Sequence, residues 1–144
     1  MVEQLSVFLE NSTGRLAELT RALGNAGIDM HALMVADTES FGVVRIIADT
    51  PRAARRILED LGFSVSLTPV IAVEVPDRPG GLADVLEALD RHGKNVEYAY
   101  CFVEPSGDAA VDVLKVDDVS AEATLVAEGF SVLTPEDVYT LDPS

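Results

Sequence analysis

Polar and apolar residues follow the same succession of patterns twice along this chain. Residues 4–9 and 70–75 alternate between apolar and polar side chains or run through β-branched ones, as strands of a sheet do. Each strand is followed by a segment with apolar residues three or four positions apart, which predicts an amphipathic helix packed on the sheet. The predicted buried faces are Leu16, Leu19, Leu23 and Ala26 in the first helix and Leu82, Val85, Leu86 and Leu89 in the second.

The first helix of each half is followed by a predicted hairpin. Apolar runs cover residues 28–36 and 42–48 in the first half, and residues 95–103 and 109–115 in the second. Polar turn residues separate the two runs of each pair, which is the pattern of two strands joined by a short loop. The predicted turns are residues 37–40 and 104–107.

A second helix and a last strand complete each half. Thr50 and Pro51 predict a helix start with proline in the first turn, and Ile57 and Leu61 are its predicted buried side. Asp117 opens the corresponding helix of the second half. Each half therefore reads β-α-β-β-α-β, and we predict an α+β protein of two tandem ferredoxin-like domains, with antiparallel sheets and helices on one face.

The two halves are related in sequence as well as in pattern. At an offset of 66 residues the pairs are Gly14 and Gly80, Leu16 and Leu82, Ala17 and Ala83, Ala22 and Ala88, Leu23 and Leu89, and Gly27 and Gly93. A repeat of this length is a small domain in tandem, because it is too long for a solenoid unit. We predict domains at residues 1–69 and 70–144, with almost no linker between them.

Charge and composition exclude several classes of partner. The chain has 144 residues and a formal net charge of −15, of which residues 70–144 carry −12. Such a field repels phosphate, so we expect neither nucleic acid nor an anionic membrane surface as a partner. No run approaches the ~18 apolar residues of a membrane span. The single cysteine, Cys101, is expected to be a small buried thiol, and its isolation suits a reducing compartment, so we predict a cytoplasmic protein.

The sequence contains no familiar catalytic or metal-binding pattern. His31 and His92 occupy different places in the two repeats and have no Cys or His neighbour at metal-ligand spacing. A nucleophile elbow, a phosphate loop and a dinucleotide fingerprint are all missing from the sequence. We therefore predict a protein that is not an enzyme and uses no cofactor or metal. Tyr98, Tyr100 and Phe102 form an alternating stripe, interpreted as core or interface packing instead of a base-stacking surface.

The strongest chemical signal is the turn between the first strand and the first helix, which occurs in both repeats. A glycine there lets a ligand approach the backbone, and the unpaired N–H groups of the helix start can bind a carboxylate. Asn11 in one repeat and Asp77 in the other could accept from an ammonium group. The same residue types are ordinary turn and helix-cap residues, so both interpretations stay open at this point.

The second turn resembles the opening motif of ACT domains, small regulatory modules that bind amino acids. The motif runs Asp77-Arg78-Pro79-Gly80-Gly81-Leu82-Ala83, and the first repeat has a looser version at Asn11-Ser12-Thr13-Gly14-Arg15-Leu16-Ala17. In that family ligands lie where two ACT units meet, held by the first turn of one unit and the second strand of another. By position, the resemblance implicates Asn11, Thr13, Gly14, Arg15, Leu16 and Asp29 in the first half, and Asp77, Gly80, Gly81, Leu82 and Asn95 in the second.

The resemblance implies a free-standing tandem ACT protein that senses a free amino acid, or a close relative of one, and regulates a metabolic enzyme in trans. It also implies a homodimer, because the family builds ligand sites between units and closed twofold pairs are the commonest oligomers. Two other classes stay open, namely an interaction module that binds no ligand and a small enzyme with a site between its halves. Stabilisation by a ligand tests the first class, and a turnover assay tests the second.

Overall fold

The computed structural model describes residues 1–37, 41–103 and 107–144, so the predicted hairpin turns at 37–40 and 104–107 lie largely outside the described residues. The elements follow the predicted order, with two differences: the last strand of the first half and the first strand of the second are one continuous strand, and a short additional helix lies near the C-terminus. The strands are β1 (Val2–Glu10), β2 (Met30–Asp37), β3 (Phe41–Ala48), β4 (Ser64–Pro76), β5 (Val96–Val103), β6 (Ala109–Val116) and β7 (Ser131–Val132). The helices are α1 (Arg15–Asn25), α2 (Pro51–Asp60), α3 (Gly81–Arg91), α4 (Ala121–Ala127) and α5 (Pro135–Val138).

The chain folds into two compact units. The N-terminal unit comprises Glu3–Thr68 together with Val138–Ser144, and the C-terminal unit comprises Pro69–Asp137 together with Met1–Val2. The chain passes from one unit to the other within β4, and each terminus belongs to the unit formed mainly by the opposite half of the sequence. The domains 1–69 and 70–144 stay a prediction, because a compact unit and an independently folding domain are different properties.

The sheet of the N-terminal unit has the order β4-β1-β3-β2. β1 runs antiparallel to β3, so that Leu5 lies opposite Ile46 and Leu9 opposite Gly42. β2 pairs antiparallel with the other side of β3. Alternate residues of these strands pack with α1 and α2 into one core, which contains Leu5, Val7, Leu9, Leu19, Ala22, Leu23, Val44, Ile46, Ala48, Ala54, Leu58, Phe63 and Val65.

The C-terminal unit repeats this architecture with the order β7-β4-β6-β5. β4 runs antiparallel to β6, so that Ile71 lies opposite Leu114 and Val75 opposite Ala110. Its core contains Ile71, Val73, Val75, Val85, Ala88, Leu89, Ala110, Leu114, Val116, Ala121 and Leu125. Both units therefore have the split β-α-β arrangement of the ferredoxin-like fold, and the predicted fold class is confirmed.

The buried faces of the first helices are rotated from the predicted ones. Ala22 and Ala88 join the cores, whereas Leu16 and Leu82 are 39% and 38% exposed. Ala26, predicted as core, is also exposed. The first turn of each helix thus leaves its leucine at the surface beside the strand-to-helix turn, while the following turns pack on the sheet.

Helix α2 uses a different face from the predicted one. Pro51, Ala54 and Leu58 are its buried residues, and Pro51 occupies the first turn as predicted. Leu61 is 55% exposed and Ile57 is only partly buried, so their prediction as the buried side is wrong. Residues 51, 54 and 58 follow the 3.6-residue period, and small Ala54 lets the helix approach the sheet closely.

The polar residues of the two first turns do not cap the helices that follow. Helix α1 starts after Gly14 and helix α3 after Gly80, each with φ +88°, and neither helix start has a side-chain cap hydrogen bond. The helix-cap interpretation of Asn11 and Asp77, one of the two left open by the sequence, therefore does not hold. Glycine adopts the left-handed conformation without a Cβ penalty, so the backbone turns into the helix directly and the polar side chains are left for other contacts.

The C-terminal tail caps helix α2. The Asp142 carboxylate accepts hydrogen bonds from the backbone N–H groups of Arg52 (3.0 Å) and Ala53 (2.9 Å). The N–H group of Thr50 donates to the Thr140 carbonyl at 2.7 Å, and the hydroxyl of buried Tyr139 accepts from the Glu3 N–H at 3.0 Å. The tail therefore supplies the helix cap that the chain before α2 lacks.

Cys101 is exposed on β5, contrary to the prediction of a buried thiol. β5 is the last strand in its sheet, so side chains on one face of it extend past the cover of the helices. The stripe of Tyr98, Tyr100 and Phe102 lies on the other face and is partly buried, while the residues between are exposed. Within the described residues, the structure contains no helix of the length and apolar character needed to cross a membrane.

Candidate ligand-binding site

The first turn of the N-terminal unit brings a strand end and a helix start together. The Ser12 N–H donates to the Glu10 carbonyl at 2.9 Å, which reverses the chain directly after β1. The Arg15 N–H donates to the Ser12 carbonyl at 3.3 Å, and the Glu18 N–H donates to the Gly14 carbonyl at 2.9 Å. Between them, the N–H groups of Leu16 and Ala17 belong to the first helical turn, where no intrahelical carbonyl is available.

A cavity of about 120 Å³ opens beside this turn. Its walls combine the end of β1 and the turn with one residue each of α1, β2 and β3. They are Leu9, Glu10, Asn11, Ser12, Leu16, Val35 and Gly42. The structure thus places two residues of the predicted site, Asn11 and Leu16, on one cavity.

Five cavity residues were not predicted from the sequence: Leu9, Glu10, Ser12, Val35 and Gly42. For Val35 and Gly42 the reason is strand register, because Gly42 of β3 lies opposite Leu9, and Val35 of β2 pairs with β3 two residues further along. Periodicity identifies strands but does not fix which residues of different strands are neighbours. The duplicated turn was the one available signal, and it located only the turn side of the cavity.

Three predicted residues of the first turn lie outside the walls of this cavity. The guanidinium of Arg15 stacks 4.5 Å above the Phe63 ring and donates to Glu18 at 2.9 Å. Gly14 lines a wider, shallower depression along α1, with Ala17, Glu18, Thr20 and Arg21. Thr13 is exposed and lines neither.

The first turn of the C-terminal unit has the same backbone and different side chains. The Asp77 N–H donates to the Asp108 carbonyl at 3.2 Å, and the Gly81 N–H donates to the Arg78 carbonyl at 3.1 Å. Gly81 occupies the position of Arg15, and a Cβ there would lie 3.0 Å from the Pro76 carbonyl oxygen. A side chain at this position would therefore make a tight contact with the backbone of Pro76.

Arg78 lies beside this helix start. Its guanidinium donates to the Asp84 carboxylate at 2.8 Å and to the Pro79 carbonyl at 3.2 Å. The terminal nitrogen Nη1 is 3.8 Å from the point that a Cβ of Gly80 would occupy. This turn therefore presents a fixed cation close to its backbone, whereas the first turn presents Ser12 at the matching position.

Residues 1–141 match the family model described as an ACT domain pair. The chain belongs to this family. A search of curated proteins finds no match. Among solved structures, this ACT pair is similar to protein BT0572 from Bacteroides thetaiotaomicron, at 35% identity over 97% of this chain and 96% of that one, with a TM-score of 0.91.

Two structures described as the regulatory subunit of aspartate kinase share the fold. The one from Thermus thermophilus is 19% identical over 88% of this chain and 89% of its own, with a TM-score of 0.67. The one from Thermus flavus is also 19% identical, over 87% and 88%, with a TM-score of 0.61. At this identity the likeness concerns the fold of the ACT pair.

The residues implicated at the start of the second strands lie far from the turns of their own units. Asp29 precedes β2, and its carbonyl accepts from the Asp49 N–H at 3.0 Å. Val35 of the cavity lies six residues further along the strand, about 20 Å away at 3.3 Å per residue. Asn95 has the matching place before β5. An ACT site that uses Asp29 or Asn95 must therefore take it from a different unit than the turn.

Asp29 belongs instead to a cluster with His31 and Asp49. One potential ligand atom from each of these side chains lies within 4.8 Å of the others, and His31 Nε2 is 2.8 Å from Asp49 Oδ1. Burial acts to raise the pKa of Asp49, but the hydrogen bonds from His31 and from the Thr140 N–H lower it below its ordinary value. Two carboxylates and an imidazole could hold a divalent ion. Sequence spacing missed the cluster because strand pairing assembles it.

The second histidine lies at the end of a helix. His92 is the C-cap residue of α3, and its Nε2 lies 2.8 Å from Glu128 Oε1. The hydrogen bond from His92 and the charge of Arg91 lower the pKa of Glu128 below its ordinary value, although burial acts to raise it. His92 therefore has a structural role that links α3 to the end of α4.

Proposed function

We propose that this ACT pair is a non-catalytic regulatory protein that binds a free amino acid at its first turns and controls a metabolic enzyme in trans. The observation that carries the proposal is the cavity at the first turn of the N-terminal unit. Apolar and polar residues line it together, and one of them, Leu16, belongs to the first turn of α1, whose N–H groups lack intrahelical partners. An amino acid needs these three kinds of contact.

The chemistry of the cavity matches a zwitterion. A helix N-terminus carries about half a positive charge, so the ligand carboxylate is stabilised at the N–H groups of Leu16 and Ala17. The side-chain oxygens of Glu10 and Asn11 accept hydrogen bonds from the ligand ammonium group. Both charges of the ligand are then paired, which offsets the cost of removing them from water.

The walls of the cavity also favour an apolar ligand side chain. Leu9, Leu16 and Val35 provide apolar surface, and Gly42 leaves space between the strands. Burying such a side chain contributes roughly 25 cal/mol per Å² of apolar area removed from water. The N-terminal unit is therefore proposed to select an amino acid with an uncharged side chain.

The proposal includes a homodimer. Leu16, Leu33 and Val35 are partly exposed apolar residues at α1 and the outermost strand β2. An exposed strand edge offers unpaired N–H and C=O groups to a second chain. A second copy paired there supplies its own second strand, including Asp29 or Asn95, to the turn of the first copy. The ligand is then enclosed by two chains.

A thermal-shift screen of the full chain against the twenty amino acids tests the proposal, with calorimetry on each compound that shifts the midpoint. A ligand present at one hundred times its Kd stabilises the protein by about 2.7 kcal/mol. The amide of the same amino acid, which lacks the carboxylate, is the matched control and is expected to bind at least about ten-fold more weakly. The absence of any stabilising amino acid would contradict the proposal and favour the interaction module.

A further inference from the structure

The C-terminal unit buries a carboxyl group that has an unpartnered oxygen. Asp112 of β6 is 2% exposed, and its Oδ2 has no hydrogen-bond partner among the described residues. Nearly all buried polar groups in native proteins have a partner. A buried carboxyl without one lowers stability, so its presence requires a reason outside the packing of this unit.

The first repeat shows that the fold does not require a carboxyl group here. In the N-terminal unit, Val7 of β1 lies opposite Val44 of β3, and both are fully buried. In the C-terminal unit, Val73 of β4 lies opposite Asp112 at the matching place. The same position in the same fold is therefore filled by valine in one repeat and by aspartate in the other.

By its strand position, Asp112 belongs to the C-terminal counterpart of the first-turn cavity. Asp112 lies opposite Cys101 on β5, as Val44 lies opposite Val35 on β2, and Val35 lines the N-terminal cavity. Ala110 is two residues away on the same face of β6, at the place of the cavity residue Gly42. Asp112 is thus the neighbour of Cys101 and Ala110, which have the places of the cavity-wall residues Val35 and Gly42.

We propose that Asp112 determines the specificity of the C-terminal site by accepting a hydrogen bond from the side-chain ammonium group of a cationic amino acid. This inference rests on the proposed function, since it assumes that a ligand occupies the C-terminal turn. An ammonium group is the partner that best compensates a buried carboxylate. The net charge of −12 on residues 70–144 also attracts cations to this half of the chain.

The two repeats then differ in ligand class. In the first site, Val35 and Gly42 have the places that Cys101 and Ala110 have in the second. The residue opposite Val35 is Val44, so the first site has no counterpart of the Asp112 carboxyl. Burial raises the pKa of Asp112, because an ionised carboxylate is costly in an apolar environment. A bound ammonium group favours the ionised form and offsets part of that cost.

Calorimetric titration of the full chain with two matched ligand pairs tests the inference. The pairs are L-lysine with L-norleucine and L-ornithine with L-norvaline, which differ in the side-chain ammonium group. The variants are Asp112→Asn, which keeps the shape, and Asp112→Val, which copies the first repeat. At least one cationic ligand is expected to bind the parent about ten-fold more tightly than its neutral partner, and both variants are expected to abolish that difference.

Each other outcome is decisive. If both variants bind the cationic ligand as the parent does, the inference is wrong while the proposed function stands. Equal loss of cationic and neutral ligands in both variants would also overturn it, because the substitutions would then have damaged the whole turn. If none of the four ligands binds the parent, Asp112 has no such role. Failure of the separate twenty-amino-acid screen overturns the proposed function itself. Thermal unfolding of the variants verifies that they fold.

Discussion

Asp142 and Arg52 lie 90 residues apart and form a helix cap: the Asp142 carboxylate accepts the Arg52 N–H at 3.0 Å. The same carboxylate accepts from Ala53, so it pairs two of the unsatisfied donors at the start of α2. Thr50, the residue before the helix, has φ +41°, which is unusual for a residue other than glycine. Contacts with the tail hold this conformation.

We predict that Asp142→Ala lowers the free energy of unfolding by about 1–2 kcal/mol, because a helix start loses its cap and part of its charge compensation. Urea unfolding followed by circular dichroism measures the effect. Asp60→Ala is the matched control, since Asp60 is an exposed carboxylate at the other end of the same helix. An equal effect of the two substitutions would show that the tail contact is not stabilising.

Asp112 predicts a specific dependence of stability on pH. Burial raises its pKa in the folded state, so the folded protein binds this proton more tightly than the unfolded chain does. The stabilisation that comes from binding this proton is therefore fully present below the unfolded pKa of 3.8, and it is lost as the pH rises through the folded pKa. Asp112→Val is expected to raise the free energy of unfolding at pH 7 by about 1–3 kcal/mol.

Denaturant unfolding of the parent and of Asp112→Val between pH 3 and pH 8 measures this dependence. The advantage of the variant is expected to grow as the pH rises from about 4, since only the parent must ionise a buried carboxyl. Val44→Ile provides a control at the matching position of the first repeat, where the pH dependence is expected to equal that of the parent. A constant difference between parent and Asp112→Val would contradict the pKa shift.

Three glycines are predicted to differ in their response to alanine. Gly80→Ala places a side chain at φ +88° and is expected to cost about 1–2 kcal/mol. Gly81→Ala forces a Cβ to 3.0 Å from the Pro76 carbonyl and is expected to destabilise the turn as well. Gly24→Ala, within α1 and with only Arg21 within 4 Å, is expected to stabilise by about 0.5–1 kcal/mol. Thermal unfolding of the three variants distinguishes these effects.

The same geometry changes how the second turn can be tested. With φ at +88°, a valine at Gly80 strains the backbone whether or not a ligand binds. Loss of binding in Gly80→Val would therefore not identify a contact with the ligand. Variants on the strand wall of a site are better probes, because they leave the turn backbone unchanged.

Local pattern predicted the elements and their order, since strands and amphipathic helices are encoded within a few residues. It predicted the duplicated turn for the same reason. It failed where neighbours are fixed by strand pairing: the cavity wall at Val35 and Gly42, and the cluster of Asp29, His31 and Asp49. Asp112 was missed because one polar residue in the run 109–115 fits a half-exposed strand equally well.

The polar residues of the two first turns are not the helix caps that their residue type suggests. Asn and Asp are frequent caps, but in both turns a glycine in the left-handed conformation begins the helix. The backbone conformation of a glycine is not visible in composition, so the polar residues received a role that the backbone fulfils. Because Asn11 does not cap α1, it is available as part of the cavity wall.

Binding of an amino acid at the first-turn cavity is tested most directly on Val35, which lines the cavity and is 43% exposed. Leu61, directly after α2, is 55% exposed and belongs neither to the cavity wall nor to the proposed dimer edge at β2, so it is the control. Val35→Phe fills space that the ligand needs. A steric clash of this kind reduces the free energy of ligand binding by about 1–3 kcal/mol.

The measurement is a calorimetric titration of the parent, Val35→Phe and Leu61→Phe with the amino acid that most stabilises the parent in the screen. Val35→Phe is expected to bind it about ten-fold or more weakly, and Leu61→Phe is expected to bind it as the parent does. Unchanged binding by Val35→Phe, with both variants folded, would contradict a ligand site at this cavity.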